Sequence, residues 1–312
     1  MINSRNIIFD YPGVRALNNV SFSVNKGAIV ALVGPNGAGK TTLLSCLAGL
    51  ETPFSGSITI DGIDVLENPR ACHRRVGYLA DFFGLYQDLT VEQCLRYACR
   101  IHEVNSRDED ATVKRAAMRL GIDDRMHMRA GALSRGLKQR LAIAQSIVHE
   151  PGLLLLDEPA SGLDPEARHE LSRLFIELQQ QGMTLLVSSH ILAELEEYCT
   201  DMLILRDGVI VESEHITSKQ KDLVSMRLQL VNGSADIQQV FANIANTEGI
   251  EGIEAVEVQE QVVTFRCTPD QAVQHEILKQ LINNGAEIYA YGEERVNMQD
   301  AYLATLKNRE SS

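Results

Sequence analysis

The sequence predicts an α/β chain, a mostly parallel sheet layered with helices, followed by a small α+β domain. Three observations lead there. Short, unbroken apolar runs recur through the first two-thirds of the chain, and helical patterns separate them. Beyond residue 219 the pattern changes to short strands and helices in a βαββαβ order, that of a split βαβ sandwich. At 312 residues, 45% of them apolar, the chain is long enough for two cores. The expected division is residues 1–218 and residues 219–312.

Residues 29–33 form the first continuous apolar run, which suits a strand buried on both faces. A Gly-rich turn follows, then a helix over about residues 40–48. Residues 76–79, 153–156, 184–188 and 202–205 are further short strands of the same kind. Residues 90–120 read as helical, with Thr90 as cap and Glu92 and Gln93 in the first turn, inside an insert over about residues 85–135. A helix from the segment at Ser134 runs to about Val148 and is stopped by Pro151-Gly152. The tail reads as strand 226–231, helix 235–245, strands 253–258 and 262–267, helix 269–283, strand 287–291 and helix 297–306.

Composition narrows the function. A formal charge of −13 argues against a protein that clamps nucleic acid through its phosphates, which takes a basic face. No apolar run approaches the roughly 18 residues of a membrane span, and residues 1–11 lack the apolar segment of a secretory signal. Six cysteines without a CxxC pair fit reduced, buried thiols. The expectation is a cytoplasmic protein.

Gly34-Pro35-Asn36-Gly37-Ala38-Gly39-Lys40-Thr41 matches the phosphate-binding loop GxxxxGK[ST] in full, between a strand and a helix as that pattern requires. Its glycines let successive backbone N–H groups and the helix N-terminus face anionic oxygens. Lys40 reaches the β- and γ-phosphates, the Thr41 hydroxyl joins a Mg²⁺ shell, and Thr42 donates to the α-phosphate. The core is therefore expected to be a P-loop NTPase. The loop by itself fits kinases, GTPases, motor ATPases and transport ATPases alike.

The run of four leucines at 153–156 ends in Asp157-Glu158. Open α/β sheets present ligand-binding groups at the C-terminal ends of their strands, so both carboxylates arrive beside the phosphates. Asp157 is placed to hold Mg²⁺, directly or through water, and Glu158 to orient and deprotonate the attacking water. The turn 160–165 leads into a helix with Asp164 as N-cap before Pro165. His190 ends the next strand, where it meets the γ-phosphate or the water.

Leu133-Ser134-Arg135-Gly136-Leu137-Lys138-Gln139-Arg140 lies just upstream of the Asp-Glu strand. With the other motifs in this order, the chain resembles the ATP-binding subunits of ABC transporters over about residues 5–218. The resemblance implies that Ser134 and Gly136 head a helix facing the γ-phosphate held by a second subunit. A helix N-terminus carries roughly half a positive charge, so ATP glues the two subunits together. It also implies that Tyr11 stacks on adenine. Asp81 departs from the pattern, because it stands where the family carries a Gln that contacts Mg²⁺ and the attacking water. It is shorter and charged, so its contact with the metal does not follow from the resemblance.

The implied protein is an ATPase using ATP and Mg²⁺, paired with a second nucleotide-binding subunit (a second copy being the expectation). It would power separate transmembrane permease subunits from the inner face of the cell membrane. One nucleotide unit plus a trailing domain resembles exporters of drugs, sodium or polysaccharides. The alternative is a soluble ABC ATPase acting on ribosomes or DNA, but those usually carry two nucleotide units or long coiled-coil insertions. A P-loop kinase or GTPase is opposed by residues 134–140 and by the Asp157–Glu158 pair. The aromatic cluster Phe82, Phe83, Leu85 and Tyr86 opens the insert where the family's groove receives a permease helix, and at least one member is expected to be exposed.

Overall fold

The computed structural model describes residues 1–82, 84–191, 195, 197–215, 224–231, 241, 253–259, 261–268 and 270–293. The described residues divide into two compact units, one within residues 1–214 and the other within residues 215–293. The boundary expected at 218/219 lies outside the described residues, as do the helix expected at 297–306 and all but Phe241 of the one expected at 235–245.

The first unit is built on a six-stranded sheet. Its strands are β3 (Ile29–Val33), β6 (Val76–Leu79), β7 (Leu153–Leu156), β8 (Thr184–Ser189), β9 (Asp201–Arg206) and β10 (Val209–His215), in the order β10-β9-β3-β8-β7-β6. The pairs β3·β8, β3·β9, β6·β7 and β7·β8 are all parallel, so these five strands end at one edge. Every residue of β3, β7 and β8 is buried, which explains their unbroken apolar runs. Leu153 and Leu155 join the core cluster containing Leu32, Leu43 and Leu47, while Leu154 packs near Gly77 on the other face.

Sequence reading missed the second sheet of this unit. β1 (Ile2–Tyr11), β2 (Val14–Val24), β4 (Ser55–Ile60) and β5 (Ile63–Asp64) form an antiparallel sheet in the order β2-β1-β4-β5. Register shifts between Ser4 and Ile7 and between Ile7 and Phe9 interrupt the period-two alternation of β1. Its buried face carries Ile2, Ile7, Phe9, Leu17, Val20, Ile58 and Ile60 into the same core as the parallel sheet.

The helices of this unit are α1 (Lys40–Leu47), α2 (Pro69–His73), α3 (Val91–Ile101), α4 (Glu109–Arg119), α5 (Arg135–Ile147) and α6 (Pro165–Gln180). The single helix expected over 90–120 is two. Glu103 takes a left-handed φ of 56°, and Asn105 Oδ1 accepts the Arg107 amide, which turns the chain between α3 and α4. Thr90 forms a full capping box with Gln93, and Arg96 ties the helices together through Glu92, Glu109 and Asp110.

In the second unit, β11 (Val224–Leu230), β12 (Glu254–Gln259), β13 (Val262–Cys267) and β14 (Ile288–Glu293) pair antiparallel in the order β12-β13-β11-β14. The helix Gln271–Asn283 contributes Ile277 and Leu281 to a core with Met226, Leu228, Val263 and Phe265. The strand order is that of the split βαβ sandwich.

Candidate functional site

Parallel pairing brings four strand ends together. β3 runs into the phosphate loop, β7 into Asp157-Glu158, β8 into His190 and β6 into Asp81. Gly39 precedes α1 with φ 103°, and a Cβ there would stand 2.6 Å from the Ala16 carbonyl oxygen. At Gly34 a Cβ would collide with the Leu205 carbonyl. Both positions accept only glycine, so the loop lies flat against β2 and β9 with its backbone free to face a ligand.

Lys40 is buried and donates from Nζ to the carbonyl of Gly34 at 2.8 Å and of Pro35 at 3.3 Å. It also lies 3.5 Å from Glu158 Oε1. The other carboxylate oxygen of Glu158 is 2.7 Å from His190 Nδ1. Glu158 thus sits between a lysine and an imidazole, its side chain 15% exposed and His190 47% exposed. Its φ of 47° is left-handed, a conformation that costs about 1–3 kcal/mol in a non-glycine residue. Ser188 Oγ, which accepts the Glu158 amide at 2.9 Å, helps hold that turn.

Ser188 is a residue that sequence reasoning passed over. It is fully buried and donates from the same hydroxyl to Asp157 Oδ1 at 2.6 Å, fixing the carboxylates as one unit. The available signal was a pair of serines, Ser188-Ser189, ending a buried strand whose middle is aliphatic. Asp157 is 1% exposed, and its Oδ2 is buried without a hydrogen-bond partner. An orphan carboxylate oxygen at the end of a phosphate-binding loop has the chemistry of a hard-cation ligand. Burial raises the pKa of Asp81, and the charges of Asp157 and Glu158 raise it further, while Arg135 and His190 oppose them. Three carboxylates therefore share one neighbourhood, a charge distribution that a divalent cation would relieve and that fits Mg²⁺.

Tyr11 is half exposed, packs edge-on to Phe9 with ring centroids 4.9 Å apart, and places its hydroxyl 3.5 Å from Thr42 Oγ1. Its ring stands beside the loop. Asn36, Gly37 and Thr41 are exposed on the loop, while Ala38 and Thr42 are buried beneath it.

Ser134 caps α5, its Oγ accepting the Leu137 amide at 3.3 Å, and Ser134 and Arg135 are exposed with Gly136 half buried. Among the described residues, the polar contacts joining Lys40, Glu158 and His190 include neither Ser134 nor Gly136. Arg135, given no role from sequence, donates to the Ser161 carbonyl at 2.9 Å and so fastens the head of α5 to the turn after Glu158. Asp164 ends that turn as the N-cap of α6, accepting the Ala167 amide at 2.9 Å.

Phe82 is 91% and Tyr86 56% exposed, and Leu85 is half buried. Phe83 lies outside the described residues. Leu85 and Tyr86 border a groove of about 530 Å³, with Tyr97, Ile101 and Leu50 on its walls. No described helix is long and apolar enough to cross a membrane.

A phosphate loop with a carboxylate pair at the same edge of the sheet, one strand removed, defines a P-loop ATPase. The family profile described as ABC transporter matches residues 17–161. The chain is 34% identical over 216 residues to the ABC transporter ATP-binding protein NatA of Bacillus subtilis (strain 168), covering 67% of this chain and 88% of that one. It is 38% identical over 210 residues to the uncharacterized ABC transporter ATP-binding protein YxlF of the same organism, over 67% and 69%. A solved ATP-binding subunit of an ABC transporter superposes with a TM-score of 0.62 at 31% identity, over 70% of this chain and 92% of that one. The chain belongs to the ABC transporter family as an ATP-binding subunit, an ATPase whose hydrolysis is coupled to transport.

Proposed function

We propose that two copies of this chain close around ATP and Mg²⁺ and drive export through separate permease subunits at the inner face of the cell membrane. The observation that carries this reading is the split of the machinery. Lys40, Asp157, Glu158 and His190 gather at the loop, whereas Ser134, exposed, and Gly136, half buried, head α5 away from those contacts and are read as facing the γ-phosphate of a second subunit. In this reading Lys40 and the loop amides of Gly34, Asn36, Gly37, Ala38 and Gly39 bind the phosphates, and Thr42 assists. Tyr11 stacks on adenine. Thr41, Asp157 and Asp81 would hold Mg²⁺, which supplies charge neutralisation when bound. Glu158 takes the proton of the attacking water, and His190 orients that carboxylate through its 2.7 Å contact.

Residues up to 218 carry this chemistry and the remainder forms an accessory domain. Export is supported by names among the relatives. The chain is 34% identical over 213 residues to a probable multidrug ABC transporter ATP-binding protein of Escherichia coli (strain K12) and 35% identical over 207 residues to a Nod factor export ATP-binding protein of Burkholderia orbicola. The exposed Phe82 and Tyr86 beside the groove supply apolar anchors for a permease helix. The shared site is tested by the ATPase rate per chain against protein concentration. The rate should rise through the dimer constant and vanish in Ser134→Arg, which still binds ATP as a monomer. A rate that stays flat across that range, also after truncation near residue 219, refutes the shared site. Copurification with a multi-helix membrane protein, weakened by Phe82→Ser, tests the permease.

A further inference from the structure

The end of the parallel sheet opposite the phosphate loop holds a second concentration of charge, of the other sign. A cavity of about 390 Å³ opens there between the last turns of α4, the turn before β3 and the loops entering β7 and β8. Its charged walls are Lys26, Arg115, Arg119 and Glu150, three cations to one carboxylate in a chain whose formal charge is −13. Arg115 Nε pairs with Glu150 Oε1 at 2.7 Å, with both side chains about half exposed. That pair uses the cavity's one carboxylate and leaves Lys26 and Arg119 to face the same space.

Arg119 is the informative residue. Its Nε is buried and has no hydrogen-bond partner. A guanidinium N–H withdrawn from water without an acceptor is an unreturned desolvation, which folded chains rarely tolerate without a reason. Burial pulls the Arg119 pKa down and the neighbouring Arg115 pushes it the same way, against Glu150. An oxyanion in the cavity would neutralise the excess positive charge that Lys26 and Arg119 bring to its walls. The planar fork of an arginine suits such a ligand, and the exposed Lys26 adds a mobile point charge.

We propose that this cavity is a binding site for a small phosphate-bearing anion, held by Arg119 and Lys26 with Arg115 at its rim. The cavity exceeds the volume of a bare phosphate, so the ligand class extends to small phosphate monoesters. The site joins α4 to the loops that feed β7 and β8, at the far end of the strands that carry Asp157 and His190.

Binding of inorganic phosphate and of glycerol 3-phosphate to the full chain, measured by calorimetry with the nucleotide site saturated by ADP and Mg²⁺, tests this directly. One further saturable site per chain is expected, weakened at least tenfold in Arg119→Gln and in Lys26→Gln. Because Lys26 is exposed, its replacement spares the core, and its ATPase rate should match the parent's. Tighter binding of the ester assigns the spare volume to its organic part, and equal binding assigns the site to the phosphate group itself. Absence of a second saturable site, or binding unchanged by Lys26→Gln, overturns the proposal.

Discussion

The two ends of the parallel sheet use the same strands for opposite purposes. At the C-terminal end, Asp81, Asp157 and Glu158 crowd together, Glu158 pairs with Lys40, and Glu158 is held in a left-handed conformation. At the N-terminal end, buried groups are arranged for packing: His149 donates to the Val76 carbonyl at 3.1 Å and stacks on His102 with centroids 3.8 Å apart. The difference teaches where each kind of mutation should register. Changes at the C-terminal end should alter turnover and leave stability the same or higher. Changes to the buried groups at the N-terminal end should alter stability and its pH dependence and leave turnover alone.

The largest expected effect is at Glu158. Glu158→Gln keeps the shape but cannot accept a proton from water, so hydrolysis should fall by at least about 100-fold while ATP still binds. Steady-state turnover and nucleotide binding on the same preparation check this, and near-parental turnover breaks the general-base role. Lys40→Ala comes next. It removes the cation of the loop and frees Glu158 from its 3.5 Å partner, so ATP affinity should drop at least about tenfold. Equal affinities would detach Lys40 from the phosphates.

The C-terminal end was largely legible in the sequence because its parts are local. The glycines, Lys40 and Thr41 sit within one loop, and Asp157-Glu158 close one run of leucines, so spacing alone announces them. Ser188 and Arg135 were passed over because their partners, Asp157 and Ser161, are 31 and 26 residues away. Only the parallel register and the packing of α5 bring them together. The β1–β2 hairpin escaped for another reason. Its register shifts destroy the alternation that marks a half-buried strand, and Asn6 and Asn19 turn left-handed inside it. The six cysteines, read as buried thiols, are all buried and none is in a disulfide.

At the N-terminal end the test is pH. Burial lowers the His149 pKa from its ordinary 6.5 to about 4, with the His102 charge acting in the same direction. A base whose folded pKa is depressed binds its proton more readily when unfolded. Its contribution to stability is therefore complete above pH 6.5 and is lost as the pH falls from there to about 4. The span corresponds to about 3 kcal/mol at most. His149→Gln keeps an N–H donor and removes the titration, so its melting temperature should fall less steeply than the parent's between those limits. ATP hydrolysis at neutral pH should be unchanged. Parallel melting curves for the two proteins would show that the histidine stack carries no acid sensitivity.

The smallest effect sharpens the contrast most, because it should have the opposite sign. The Asp81 carboxyl titrates above the ordinary carboxylate range, through burial first and then through Asp157 and Glu158. For an acid, a raised folded pKa means that the ionised form burdens the native state. The burden is fully present above the folded pKa, shrinks as the pH falls through it, and is gone below the unfolded value near 4. Asp81→Asn removes the charge and keeps the size. In the metal-free protein it should raise the melting temperature slightly at neutral pH, since Asp81 is exposed and solvent screens the repulsion. That gain should fade as the solution is acidified towards pH 4. Mg²⁺ should narrow it too, because a bound cation relieves the same crowding in the parent. A variant that melts lower than the parent at neutral pH would mean that Asp81 supports the fold, and the contrast between the two ends of the sheet would fail at that residue.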